Sequence, residues 1–348
     1  MAHGSSPLAS PYHPLQIGTS TIPGNVFLAP LAGYTDRAFR EICREFGAPF
    51  CYTEMVSAEA VARGNRKTIE LMDRGDDEEL LGIQIFLSSP GQAERALPEL
   101  LRHRPTLIDI NCGCPVPKVV KTGAGAALMR SPETIHRIVS VLASQTDTPV
   151  TVKIRSGWDS DSITYLEAAG AAEEAGAAAV GLHARTRAQG YSGSANWEHI
   201  AELAARVRVP VLGSGDLFTA HDIHRMLTQT GCDGVMCARG AIGNPFIFRD
   251  VGRLLEGAEG EGPGGAEPEE RLSAAVRHFE KALRYRGEHY AVREMKKHFA
   301  AYTKGLPGGS ALRNRLMRCT DGECYERVLG EYLAAPGPFH SRHGRSPS

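Results

Sequence analysis

Short apolar, β-branched runs recur along the chain, and each is followed by a longer stretch with helical periodicity. The runs are Val26–Ala29, Cys51–Glu54, Leu81–Phe86, Leu107–Asn111, Val150–Ile154, Ala179–His183, Val209–Gly213 and Gly234–Ala238. Most are continuously apolar rather than alternating, the pattern of parallel strands buried on both faces. Helices are predicted between them, among others at Asp36–Phe46, Gly91–Leu101, Pro132–Ser144, Ile163–Ala175 and Trp197–Val207. Ser131-Pro132 marks one start, a capping residue followed by Pro at the first helical position. Eight such units over about 230 residues predict an α/β fold of the (β/α)8 TIM-barrel type. A doubly wound open sheet is the rival, but it usually has fewer units.

The rhythm breaks at Glu256–Pro268 (EGAEGEGPGGAEP), too rich in Gly, Glu and Pro to bury a core, and a linker is predicted there. Beyond it, helices are predicted at Glu269–Arg286 and Glu288–Lys304, with Gly287 at the joint. Val292, Met295, Phe299 and Tyr302 recur at spacings of 3, 4 and 3, which makes one apolar face. Arg293, Lys297 and Lys304 fall on another face. The organisation predicted is a loose tail over 1–15, a barrel over 16–255, the linker 256–268, a basic helical domain over 269–335 and a disordered tail over 336–348.

Charge sharpens this division. The net charge is only −1, yet Arg271 to Arg318 holds twelve Lys/Arg against three Glu, so the remainder is acidic and the helical segment suits a polyanionic partner. No apolar run approaches the roughly 18–20 residues of a membrane span. Met1–Leu15 lacks the basic and apolar regions of a signal peptide, so no membrane partner is expected. Eight cysteines are too sparse for a disulfide scaffold at this length, and a reducing cytoplasmic location is expected. They lack the doubled CxxC spacing of a structural zinc site, so no metal is expected either. Nothing in the chain points to an obligate protein partner.

A TIM barrel builds its site at the C-terminal ends of its strands. Those ends carry Ala29-Pro30-Leu31-Ala32-Gly33, Gln84, Asn111-Cys112-Gly113-Cys114-Pro115, Lys153-Ile154-Arg155, His183-Ala184-Arg185, Gly213-Ser214-Gly215-Asp216 and Ala238-Arg239-Gly240-Ala241. Glycine-rich turns after the seventh and eighth strands, with Arg239 beside one, suit a phosphate-bearing cofactor, although ordinary tight turns would read the same. Lys153 at a strand mouth should face an anion, such as a reduced flavin, or else pair with Asp109 or Asp216. His183 and Gln84 are individually weak signals that gain value by sharing this rim. Gly113 and Pro115 fix a turn projecting Cys114, whose thiol, of pKa about 8.5, can donate a proton at pH 7. Cys43, Cys51 and Cys232 read as ordinary buried cysteines.

Taken together, these segments resemble the tRNA-dihydrouridine synthases, most closely the bacterial B-type branch. The resemblance rests on LAPLAGYTDRAFR (Leu28–Arg40), QIFLSSP (Gln84–Pro90), DINCGCPVPKVVKTGAGAALM (Asp109–Met129), VTVKIRSGW (Val150–Trp158), GLHARTRAQGYSGSANW (Gly181–Trp197), VLGSGDLF (Val211–Phe218), ARGAIGNPFIF (Ala238–Phe248) and REMKKHFAAYTKGLPG (Arg293–Gly308). It implies an FMN enzyme, reloaded by NADPH (or NADH), that saturates the C5–C6 bond of a uridine in tRNA, in the D-loop by expectation. By motif, Cys114 takes the proton-donor position. Pro30, Leu31, Ala32, Gln84, Lys153, His183, Ser214, Gly215, Asp216, Ala238 and Arg239 take flavin-contacting positions. Asn111 and Arg185 would face the target base or its neighbourhood, and Arg293, Lys297 and Lys304 would meet the RNA. The chain departs from the family pattern at Leu87 and Ala238, where Gly is usual, and at Ser214, where Asn is usual. The alternatives are an FMN barrel reducing a free pyrimidine, which leaves the basic tail unexplained, and a catalytically idle RNA-binding barrel.

Overall fold

In the computed structural model, which describes residues 11–255 and 266–334, eight parallel strands close into a barrel. They are β1 (Val26–Leu28), β2 (Cys51–Tyr52), β3 (Leu81–Phe86), β4 (Leu107–Asn111), β5 (Val150–Arg155), β6 (Ala179–His183), β7 (Val211–Ser214) and β8 (Gly234–Cys237). Each pairs with its neighbours in chain order, and β8 returns to β1 with Val235 opposite Val26. This closure excludes the open sheet. Every predicted strand is present, with shifts at the ends. The seventh starts at Val211 because Pro210 has no N–H for the ladder, and Glu54 lies beyond β2.

The predicted helices appear at Arg37–Glu45, Pro90–Arg102, Pro132–Ala143, Tyr165–Glu174 and Trp197–Arg206. Asp36 caps the first by accepting the Phe39 N–H at 2.9 Å. Pro132 takes the first turn as predicted, but the Ser131 hydroxyl meets Thr134 Oγ1 at 2.8 Å rather than capping the backbone.

Side chains alternate between the two faces of a strand, and the two faces have different tasks. The outward set packs against the helices, through residues such as Ile83, Ile108, Ile110, Val152, Val180 and Val235. The inward set begins with an apolar layer of Phe27, Phe50, Tyr52, Leu107, Ala179, Leu212 and Met236. A hairpin of Leu15–Ile17 and Ser20–Ile22 seals this layer, burying Leu15, Ile17 and Ile22 within it. Leu15 therefore opens a strand instead of ending a loose tail. Residues 1–10, 256–265 and 335–348, where most of the predicted tails and linker fall, lie outside the described residues. Pro268, placed at the linker's end, is the first residue of a helix.

The described chain divides into this barrel unit (11–241 with 246–255) and a helical unit (242–245 with 266–334). The helical unit contains Pro268–Arg286, Glu288–Tyr302, Gly309–Arg318 and Gly322–Ala334. The last two helices have no counterpart in the sequence pattern. Val292, Met295, Phe299 and Tyr302 are buried, as their spacing requires. Phe299 and Phe279 both pack on Tyr325, with ring centroids 4.7 and 5.1 Å away. Cys319 and Cys324 form a disulfide.

The His278 and His298 rings meet edge to face at 4.3 Å inside this unit, both buried. Burial, then Lys297 and Lys281, push His278 down to about 3. His298 is held well below its ordinary value by burial, His278 and Lys297. Unfolding restores pKa values of about 6.5, so below that pH the unfolded chain binds more protons and stability falls as pH drops toward 3. Melts of the full chain should therefore lose stability from pH 6.5 to 5, by up to roughly 1.4 kcal/mol per histidine per pH unit. H278N/H298N should remove most of that slope. An unchanged slope in the double variant would refute the assignment.

Candidate active site

Above the apolar layer, the same inward alternation turns polar. Gln84 on β3, Asp109 and Asn111 on β4, Thr151, Lys153 and Arg155 on β5, His183 on β6 and Ser214 on β7 all continue it. The register places them side by side: Gln84 with Asp109, Asp109 with Thr151, Asn111 with Lys153, Arg155 with His183, and His183 with Ser214.

The fully buried Asp109 carboxylate accepts from Gln84 Nε2 at 2.7 Å and from Thr151 Oγ1 at 2.6 Å. Burial pushes its carboxyl up to about 6, against the pull of those two hydrogen bonds. Gln84 Oε1 accepts from Asn111 Nδ2 at 2.8 Å. Asn111 Oδ1 in turn accepts the backbone N–H groups of Gly113 (3.1 Å) and Cys114 (2.8 Å). Asn111 thus holds the Cys114 turn. From the other side, the Cys114 carbonyl accepts the Ala126 N–H at 3.0 Å. Gly125 (φ +62°) lies so close that a Cβ there would come within 2.8 Å of that carbonyl. The Cys114 thiol is half-buried; burial pushes its pKa up, opposed by the Val116 backbone and Arg155. Cys112 is completely buried and its thiol is raised too. Both are neutral thiols at pH 7.

A cavity of about 490 Å³, counting the space open to solvent, lies over β1 and β5 to β8. Its lining includes Pro30, Leu31, Lys153, His183, Ser214, Gly215, Asp216, Ala238 and Arg239. Of the expected cofactor positions only Ala32 and Gln84 are missing: Ala32 is exposed beyond Leu31, and Gln84 lies deeper. The turns after β7 and β8 touch at Gly240, where a Cβ would sit 1.9 Å from the Leu217 carbonyl. Ser214 Oγ donates to the Met236 carbonyl at 3.0 Å, which commits its side chain to the barrel wall. Leu87 is core.

Asp216 (φ +58°) adopts a left-handed backbone that is unusual outside glycine. Its carboxylate accepts Arg185 Nη2 through both oxygens at 2.7 and 2.8 Å, the Ala195 N–H at 2.8 Å and Arg239 at 3.4 Å. Arg185 also donates to the carbonyls of Ser192 and Gly193 and is buried. It is the clamp of this turn. Arg155 does a similar job, tying the Gly113 carbonyl (2.8 Å) to those of Thr186 and Gly190 (both 2.9 Å).

With both carboxylates engaged elsewhere, the Lys153 ammonium has no hydrogen bond or ion pair among the described residues. Burial first, then Arg155, push it down to about 8, so it is still mostly charged at pH 7. His183 is driven far below its ordinary range, by burial and then by Lys153, Arg155, Arg185 and Arg239, and is neutral. Its Nε2 lies 3.4 Å from Arg185 Nη1, and only an unprotonated Nε2 can accept there. The cavity thus offers a lone cation and two glycine-rich turns, a donor set that fits an anionic, phosphate-bearing molecule. Tyr191, 53% exposed, and Phe218, 47% exposed, flank Arg239 at 4.4 and 5.3 Å. Neither was singled out from the sequence; the available signal was an aromatic residue in each polar loop.

Arg293, Lys297 and Lys304 belong to the helical unit. Arg293 (3.0 Å) and Lys297 both pair with Glu294, which offsets part of their charge, and Lys304 is exposed. Among the described residues, no cluster of His, Cys, Asp and Glu could hold a metal ion, and no helix is long and apolar enough to cross a membrane.

Comparison with known proteins now adds to this geometry. A probable tRNA-dihydrouridine synthase of Treponema pallidum is 47% identical over 91% of this chain and 96% of its own. The tRNA-dihydrouridine synthase B of Xanthomonas campestris is 35% identical over 94% of this chain and 99% of its own. Among solved structures, an old yellow enzyme homologue from Zymomonas mobilis shares the fold. Its TM-score is 0.54 at 12% identity, covering 72% of this chain and 93% of that one. Residues 27–333 match the dihydrouridine synthase family over most of the chain, and the protein belongs to that family.

Proposed function

We propose that the chain is a cytoplasmic tRNA-dihydrouridine synthase that uses FMN, reloaded by NADPH or NADH, to reduce the C5–C6 bond of a D-loop uridine. The observation that carries this reading is the pairing, at one barrel mouth, of a neutral thiol on a pinned turn with an uncompensated ammonium in a cavity lined by two glycine-rich turns. FMN supplies the hydride for C6 of the base. Lys153 would hold its electron-rich edge, while Pro30, Leu31, Ala32, Gln84 and His183 would border its ring. The backbone of Ser214–Asp216 and Ala238–Gly240, with Arg239, would hold its phosphate. Asp216 does not repel that phosphate, because Arg185 and Arg239 already balance its carboxylate.

The remaining chemistry is protonation of C5, and Cys114 is the acid. Its raised pKa keeps the proton on the sulfur until the base demands it, and Arg155 stabilises the thiolate left behind. A positioned acid contributes about 10²–10⁴ in rate. Asn111 and Arg185 act here as positioning residues, the first on Cys114 and the second on Asp216. The target base must leave its stack to enter the mouth. The basic helical unit, residues 269–335, holds the RNA backbone.

Three outcomes follow. The protein should purify yellow with FMN, and K153A/R239A should strip it; unchanged absorbance near 450 nm in that variant argues against the site. In single-turnover oxidation of the pre-reduced enzyme by tRNA, C114A should be slower by about 10²–10⁴ while keeping its flavin, and C112A should be nearly silent. The reverse ranking overturns the role of Cys114. R293A/K297A/K304A should weaken tRNA binding and reduce its salt dependence by up to about three contacts, at roughly 0.7–0.9 each. Because Glu294 offsets part of that charge, the smaller end of the range is expected; no change at all would remove this face from the interface.

A further inference from the structure

The loops that follow β4, β5 and β6 converge on a feature that the flavin and thiol chemistry leaves unused. The Trp158 indole carries two guanidinium groups over its ring, Arg130 at 5.0 Å from the centroid and Arg187 at 4.6 Å. Each residue comes from a different loop, and backbone bonds lock the loops together. Trp158 and Gly157 carbonyls accept the Ala188 and Arg187 N–H groups, both at 2.9 Å, and Thr164 Oγ1 donates to the Met129 carbonyl at 2.8 Å. Neither guanidinium makes a hydrogen bond or ion pair with any described residue, and Arg187 Nε is buried without a hydrogen-bond partner. Arg130 is exposed, and the stack stands at the strand ends where the mouth opens.

An arginine stacked on an aromatic face has its rotamer set in advance and keeps its in-plane N–H edge for another ligand. Two such edges, unclaimed among the described residues, suit the paired oxygens of phosphate. The surroundings agree in sign. Between Asn111 and Arg130 there are three cations and no carboxylate, and Ala184 to Asn196 carries two arginines and no carboxylate. The opposing charges are Asp159 and Asp161 in the intervening loop. Asp159 accepts the Asp161 N–H at 3.1 Å, Asp161 accepts from Ser160 at 3.4 Å, and neither pairs with the stack.

We propose that Arg130, Trp158 and Arg187 form a phosphate clamp on the barrel itself, which grips the ribose-phosphate backbone of RNA beside the nucleotide that enters the mouth. The assignment rests on the RNA substrate proposed above. The clamp makes the barrel unit an RNA-binding surface in its own right, additional to the basic helices.

The test is equilibrium binding of unmodified tRNA to the full-length protein across a salt series. Wild type should show a steep decline of affinity with salt. R130Q/R187Q should reduce the log–log slope by roughly 1.4–1.8, two contacts at 0.7–0.9 each. W158L keeps both charges and should leave the slope intact while raising Kd about two- to fivefold. R130K/R187K, which keeps charge without the planar edge, should retain the wild-type slope with weaker binding; it serves as the check if the glutamine pair lowers the melting temperature. A wild-type slope and Kd in R130Q/R187Q would overturn the clamp while leaving the RNA reading standing. A lysine pair that loses slope would overturn it as well. Wild-type protein that does not bind tRNA would overturn both.

Discussion

An imbalance of charge inside a nearly closed barrel mouth governs the arrangement of this site. Lys153, Arg155, Arg185 and Arg239 gather here around the carboxylates of Asp109 and Asp216. Buried charge is tolerated only when paired or neutralised, and each group meets that demand differently. Arg185 and Arg239 share Asp216. Arg155 takes backbone carbonyls from two loops. Asp109, facing neutral donors, is pushed toward its protonated form, and His183 is driven wholly neutral. Lys153 alone is left over, at the foot of the cavity. The surplus cation is the strongest physical statement the barrel makes about its ligand.

The same demand for pairing gives the site its rigidity. Three adjacent strands are cross-linked at one level by Gln84, Asp109 and Thr151, and Asn111 carries that order upward into the Cys114 turn. On the opposite arc, Arg185 and Asp216 hold a left-handed backbone that would otherwise be unfavourable. These residues need not touch a substrate to matter. They hold the thiol and the glycine-rich turns in fixed positions, which is where positioning contributes to catalysis.

The barrel was legible in the sequence because parallel strands buried on both faces leave an apolar run that stands out from amphipathic helices. The hairpin at Leu15–Ile22 was not, because three-residue strands are too short to show a period. Nor were the helices at Gly309–Arg318 and Gly322–Ala334, whose first residues are glycines and whose surfaces are largely polar. At the site, Lys153, Cys114 and the turns after β7 and β8 were visible as unusual residues at strand ends. The bonds by which Asn111 holds the Cys114 turn and Arg185 holds Asp216 were not. A motif reports which residues gather, whereas direction depends on which hydrogen bonds close. Alternation along β4 was the one available clue: Asn111 is two residues past the inward Asp109 and so must share its network.

The plug at the base of the barrel also bears on how the chain is made. Leu15, Ile17 and Ile22 precede every strand of the barrel, yet Leu212 and Met236, in the same apolar layer, lie on its last two strands. At roughly 5–20 residues per second, the interval is on the order of ten seconds or more. During that time the hairpin can meet only part of its layer, and the barrel cannot close until β8 reaches β1. Biogenesis of this protein is therefore end-loaded. The hairpin that seals the barrel waits for the barrel's last strand, and a nascent chain stalled before β8 is the form most exposed to aggregation and to chaperone capture.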